Sequence, residues 1–169
     1  MKIFFIADTH FDDDNLRRYE NRPFESTRLM NEALVANWNS VVGEEDLVYH
    51  LGDVGNLSFL KELKGRKRLI KGNHDLLLNE EYRQAGFEEV YDLPVILDGY
   101  FILSHNPLYV NRNMPYANIF GHVHANPEYR LYSERSHNVS ADVIDFTPIE
   151  YDLVKKRISE ADRLASEST

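Results

Sequence analysis

Three apolar runs of strand length alternate with stretches of helical periodicity in the first half of the chain. The runs are Ile3 to Ala7, Leu47 to Leu51 and Lys67 to Lys71. They are short, bounded by polar or turn residues and rich in branched and aromatic side chains, which predicts buried strands. Between the first two, Ser26 or Thr27 is suited to cap a helix whose face carries Met30, Ala33, Leu34, Trp38 and Val41, with Gly43 ending it. Between the next two, Asn56 or Ser58 is suited to cap a short helix through Leu60 and Leu63. Strand, helix, strand, helix, strand predicts parallel strands joined by right-handed crossovers, so the strands end along one edge. Each run ends in polar residues: Asp8-Thr9-His10, Gly52-Asp53, and Gly72-Asn73-His74-Asp75. Asp8, His10, Asp53, Asn73 and His74 are therefore expected to meet in space, at the strand ends where ligands of open α/β sheets bind.

The second half predicts shorter elements. A helix is expected from Glu80 to Ala85, stopped by Gly86. Short strands are expected at 90–93, 95–97, 100–104, 119–120, 130–132 and 138–140, with Asp98-Gly99 as a hairpin turn that makes part of this region antiparallel. Asp12-Asp13-Asp14 and Asn21-Arg22-Pro23 read as one polar loop. Thr147-Pro148 precedes a charged final helix with Leu153, Val154 and Ile158, and residues after Asp162 are expected to fray. The organisation is a single domain over 1–162 followed by a polar tail at 163–169.

Composition narrows the function classes. A chain of 169 residues, 43% hydrophobic, suits one core and leaves no room for a lid domain. A formal net charge of -9 makes an extended basic track for nucleic acid unfavourable, and bound divalent cations would relieve a cluster of carboxylates. The absence of cysteine removes thiolate zinc sites and disulfides. The first apolar run is too short for a signal-peptide core and no stretch is of membrane-span length, so a cytoplasmic protein is expected. The oligomeric state is left open.

Two further strand ends supply histidines. His105 follows Phe101-Ile102-Leu103-Ser104, and Gly121-His122-Val123-His124 follows Ile119-Phe120. The donors are then Asp8, His10, Asp53, Asn73, His105, His122 and His124, too many for one tetrahedral site and suited to two neighbouring metals. Carboxylate, amide and imidazole ligands together favour Mn, Fe, Ni, Zn or Co over Ca. Two such ions can bind phosphate oxygens and generate a bridging hydroxide that attacks phosphorus. Set against this, Asp and Asn also cap helices and form turns at strand ends. His50 reads as a half-buried strand histidine with a hydrogen-bond partner, and His137 as a surface or loop histidine. Arg22 is either a phosphate clamp or a solvated loop arginine. Asp12 to Asp14 read as solvated acids, and Tyr109 and Tyr116 as either pocket-lining or packed.

The order Asp8-x-His10, Gly52-Asp53, Gly72-Asn73-His74-Asp75, His105 and Gly121-His122-Val123-His124 resembles the calcineurin-like metallophosphoesterases, from the first strand to His124. The small bacterial and phage members are similar in carrying Asn-Arg-Pro-Phe after the first motif, here Asn21-Arg22-Pro23-Phe24. The resemblance implies an α/β (α+β-like) fold, a four-layer αββα sandwich of two mixed β-sheets flanked by helices. It implies one metal held by Asp8, His10, Asp53 and His124, and a second held by Asp53, Asn73, His105 and His122. It also implies that His74 protonates the leaving group, that Asp75 orients His74, and that Asn73 touches the phosphate. Two departures stand out: Gly55, where many relatives carry an acid, and Asp12-Asp13, where close relatives have Gly-His. The function implied is hydrolysis of a small phosphoester, nucleotide-like esters among the candidates, with diesters favoured over monoesters. A nuclease acting on nucleic-acid ends is the enzymatic alternative. A non-catalytic scaffold on this fold is expected to lose His74 or Asp53, and this chain keeps both.

Overall fold

A computed structural model describes residues 1–129 and 132–167 of the chain. Strands β1 (Ile3–Ile6), β2 (Leu47–His50), β3 (Arg66–Ile70) and β4 (Glu89–Tyr91) lie side by side and parallel. The register pairs Ile6 with His50 and His50 with Leu69, so the three expected strands do end on one edge. A second sheet holds β5 (Val95–Leu97), β6 (Phe101–Leu103), β7 (Ala117–Phe120) and β8 (Ser136–Asn138) in that order. The Asp98-Gly99 turn makes β5 and β6 antiparallel, whereas β6, β7 and β8 are parallel. Finally β9 (Ile149–Glu150) returns to the first sheet, antiparallel to β1. Both sheets are therefore mixed.

Side-chain alternation along β1 explains how the layers stack. Phe4 and Ile6 face the layer of helices, where they join Met30, Leu34 and Trp38 of helix α2 (Thr27–Val41). Leu60, Leu63, Tyr82 and Phe87 complete this cluster. Phe5 and Ala7 face the other way, onto Leu103, Ala117 and Ile119 of the second sheet. Phe5 is fully buried there, in edge contact with Tyr151, and its truncation to Ala would cost about 3–5 kcal/mol. Tyr151, Val154 and Ile158 of the last helix close the same inter-sheet cluster. The outer side of β7 is covered by loops: Asn118 accepts the N–H of Leu108, and Phe120 meets the ring of Tyr132.

Residues 139–141 stitch the two sheets together. The Val139 N–H bonds to Phe120 of the second sheet, its carbonyl accepts from Ala7 of the first, and Ala141 N–H returns to the Ala7 carbonyl. A chain crossing between sheets at this point brings the ends of β1 and β7 together.

Several expectations change. The acids after His10 do not form a simple loop, because Asp13 caps helix α1 (Asp14–Tyr19) by accepting the N–H of Leu16 at 2.9 Å. These acids are solvated, with Asp12 exposed, but each has partners: Asp14 is tied to Arg17, Arg18 and Thr27, and Asp12 to Asn31 and Asn56. In α2 it is Val42, at the cap, that is buried, while Val41 is exposed. Helix α3 spans Asn79–Ala85, close to expectation. Helix α4 runs Tyr151–Glu167, so 163–167 continue the helix past the boundary drawn at 162. The strand expected at 138–140 lies at Ser136–Asn138. Of the strand expected at 130–132, Arg130 and Leu131 lie outside the described residues and Tyr132 sits in a bend. No described helix is long and apolar enough to cross a membrane.

Gly55, the departure noted above, has a physical cause. Its φ is +86°, and a Cβ there would lie 2.3 Å from the Phe11 backbone nitrogen, because the two residues form a parallel bridge. Gly55→Asp is therefore expected to destabilise the fold by roughly 2–3 kcal/mol, read as a lower midpoint in denaturant unfolding. An unchanged midpoint would show that this bridge is dispensable.

Candidate metal centre

Five of the expected donors sit in left-handed backbone, which L side chains rarely adopt. Their φ values are 56° for Asp8, 47° for His10, 58° for Asp53, 71° for His122 and 47° for His124. Such conformations cost of the order of 1–3 kcal/mol each and persist where surrounding bonds over-determine them. Here the first two motif loops run on beside each other past their strands. Asp8 N–H bonds to Gly52, His10 N–H to Asp53, and Phe11 N–H to Val54. Gly121 N–H bonds to the His105 carbonyl in the second sheet. Each loop thus turns its side chains into the gap between the sheet ends.

Two groups of donors result: Asp8, His10 and His124, and Asp53, His105 and His122. They adjoin through Asp53, whose Oδ2 lies 3.6 Å from His10 Nε2 and 3.4 Å from His105 Nε2. The polarity of the contacts is diagnostic. His105 Nδ1 lies 2.8 Å from the Leu51 carbonyl, to which it can only donate, so in the neutral ring, the form that binds a cation, Nε2 keeps its lone pair. That nitrogen faces Asn73 Oδ1 at 3.0 Å, His122 Nδ1 at 3.1 Å and the Asp53 carboxylate. In the other group, Asp8 Oδ1 and His10 Nε2 are buried with no hydrogen-bond partner. Convergent lone pairs and orphaned buried acceptors are what a cation satisfies, and the donor set fits divalent ions.

The electrostatics agree. Burial pushes the Asp8 carboxyl up to about 6 against the pull of His124 and His105. Burial opposes ionisation of Asp53 as well, but His105, whose own value is raised so that without a cation a proton takes the place on Nε2, supplies a hydrogen bond and charge that, with the His74 N–H, bring it down to about 2. Burial holds His10 down at about 3, with its ring neutral and able to ligate.

Other sequence candidates are placed differently from expectation. Asp75 does not orient His74. Its Oδ2 accepts the N–H groups of Asp53 (2.7 Å) and Gly72 (2.8 Å), and its Oδ1 accepts that of Val54 (3.2 Å). Asp75 therefore braces the second motif against the third. Arg22 is not a phosphate clamp. Its guanidinium is buried, and its five N–H groups go to Asp142 (twice), the Asp8 and Thr9 carbonyls and Met30 sulfur. Nothing is left for substrate. His50 has the hydrogen-bond partners expected but is fully rather than half buried, held neutral near 3 by burial, accepting from Gly52 N–H and bonded to Thr9, whose hydroxyl donates to Val54. His137 lies on β8 against Arg157 rather than in a loop. Tyr109 is exposed and stacks edgewise on Tyr132.

His74 and Asn73 are exposed at the mouth of the site. The His74 backbone N–H is anchored on Asp53 Oδ1 at 2.8 Å and its ring lies 5.4 Å from that of His10. Beside His122 and His124 opens a cleft of about 880 Å³, lined among others by Tyr19, Asn21, Asn106, Asn126 and Tyr129. Sequence reasoning missed Asp142, whose Oδ2 lies 2.8 Å from His124 Nδ1. No spacing marks it, although an acid just past a strand end was a usable hint.

Residues 1–139 match the calcineurin-like phosphoesterase superfamily domain. The chain belongs to this superfamily. An uncharacterized protein of Methanocaldococcus jannaschii is 39% identical over 93% of this chain and 91% of its own length. The gene 66 protein of Mycobacterium phage L5 is 33% identical over 43% of this chain and 39% of its own. An Aquifex aeolicus protein of unknown function has a crystal structure that superposes with a TM-score of 0.74 at 26% identity, covering 92% of this chain and 98% of that one. The two mixed sheets with flanking helices are those of the calcineurin-like phosphoesterase fold.

A divalent ion held by Asp8 would need that carboxyl ionised, and protons would compete below its raised value of about 6. Affinity for a divalent ion is therefore expected to be full at a pH of about 7 and to fall as pH is lowered to about 5. Titration with Mn(II) at each pH checks this, and an affinity flat across that range would remove Asp8 from the ligands.

Proposed function

We propose that the protein is a two-metal phosphoesterase acting on small phosphoesters, with diesters preferred. Asp8, His10, Asp53 and His124 would hold one ion, and Asp53, Asn73, His105 and His122 the other. The ions could be Mn, Fe, Ni, Zn or Co. Bound there, they supply charge neutralisation toward phosphate oxygens and an activated water. The observation that carries this reading is the pair of donor groups meeting at Asp53 with an exposed histidine on the solvent side.

The chain's own residues divide the remaining work. Asn73 Oδ1 faces His105, which leaves its amide N–H groups free to donate to a phosphate oxygen. His74 is exposed, and among the described residues no hydrogen bond engages its ring. A ring nitrogen can therefore carry a proton to the leaving oxygen. Asp75 acts at one remove, holding the backbones of Gly72 and Asp53 on which this geometry rests. The open cleft beside His122 accommodates the second substituent of a diester. Tyr19 and Tyr129 offer aromatic faces to a planar, nucleotide-like group. The formal charge of -9 favours such small esters over long nucleic acids.

The test is stripped protein reconstituted with each metal in turn and assayed on mono- and diesters. Two ions per chain with diester turnover supports the reading, and one ion or none overturns it. His74→Ala is expected to lower turnover about 10²–10⁴-fold on esters with poor leaving groups and much less on activated aryl esters. Equal loss on both, with metal content unchanged, would remove His74 as proton donor. Asp53→Asn is expected to weaken binding of both ions, which metal analysis after dialysis would show.

A further inference from the structure

We propose that Arg22 and Asp142 form a positioning clamp that sets the tautomer and orientation of His124 and pins the Asp8 turn, thereby preparing the Asp8–His10–His124 donor group for its ion. The proposal rests on the metal-site reading above. It extends that site past residue 139, where the superfamily match ends.

The geometry is that of one planar group serving three donors. Arg22 Nε and Nη2 meet the two Asp142 oxygens at 2.9 Å each, a fork-on-fork pair. The same Nη2 donates to the Asp8 carbonyl at 2.6 Å, and Nη1 to the Thr9 carbonyl at 2.8 Å. These are the carbonyls of the two peptide units that join Asp8 to His10, both of which have left-handed backbone. Asp142 Oδ2 then takes the Nδ1–H of His124 at 2.8 Å. That bond leaves the lone pair on Nε2, the nitrogen on the far side of the ring from Asp142. The His124 backbone is secured separately, its carbonyl accepting from Asn138 Nδ2 at 2.9 Å, so the ring's rotation is left to Asp142. The His124 ring lies flat against that of His10, centroids 5.4 Å apart and 27° between planes, an arrangement a rotated ring would lose.

Energetics separate positioning from mere stability. The Arg22 and Asp142 side chains are 0% and 6% exposed, and a buried ion pair recovers little more than its own desolvation. What the pair secures is direction. A lysine, with a point charge on a flexible stem, cannot reproduce the fork.

Co(II) titration of metal-free protein, followed by visible absorption, tests the clamp without reference to turnover. Asp142→Ala and Arg22→Lys are expected to lose about 10–100-fold in affinity for one of two Co(II) ions, with an altered spectrum for that ion. Asp142→Asn keeps an amide oxygen that accepts from Nδ1–H and should recover part of the loss. Asp162→Ala breaks a similar two-bond pair with Arg135, remote from the site, and should lower the unfolding temperature with Co(II) affinity unchanged. Should Asp142→Ala fail to fold, Arg22→Lys decides. Wild-type affinity for both ions in Asp142→Ala or Arg22→Lys overturns the clamp while leaving the metal site standing. A wild-type protein that binds no Co(II) overturns the metal reading itself, and the clamp with it.

Discussion

Electron-pair donors turned toward one another repel, and the centre of this fold is made of them. His105 Nε2 faces an amide oxygen, a second imidazole nitrogen and a carboxylate, all within 3.4 Å. Such an array does not hold itself together. It is held from behind, by hydrogen bonds that each donor's own neighbours make away from the gap. Leu51 fixes the His105 ring, Asp142 the His124 ring, and the His122 N–H fixes Asp8. Asp75 and His50 do the same for the backbone beneath, joining Gly52, Asp53, Val54, Gly72 and Thr9.

This outer layer explains why so many polar groups are buried in a chain of ordinary composition. Asp8, Thr9, His10, Arg22, His50, Asp53, Asp75 and His105 are all buried. Two apolar layers, one on each face of the first sheet, offset the cost of the left-handed turns and unmatched acceptors. The rigidity comes from the core, while the reactivity sits on loops that leave it at a common edge.

How much could be read from the chain depends on the range of the interaction. The alternation of apolar runs and helical faces led to the parallel strands, because period and strand length are local properties. Convergence of Asp8, His10, Asp53, Asn73 and His74 followed from the connectivity of the parallel strands, while His105, His122 and His124 were added from their strand-end positions and the family resemblance. Arg22 and Asp75 were misjudged because their partners are set by tertiary contacts: Arg22 finds Asp142 across 120 positions. Helix α1 was missed since six residues, none buried, leave no apolar period. The extension of α4 to Glu167 was missed because small polar residues near its end look like a fraying tail, although Arg163 and Glu167 pair along the helix.

The short return strand β9 has a consequence for where this fold can be divided. Its two residues are the whole cover on one side of β1, the strand that carries Asp8 on its end. The superfamily match stops at 139, before β9 and α4. A chain ended there would leave β1 as an open edge with unpaired N–H and C=O groups, and Phe5 without the ring of Tyr151. An uncovered apolar edge is a template for strand addition between copies. The recognisable family segment and the length that covers β1 on both sides are thus different lengths of the same chain.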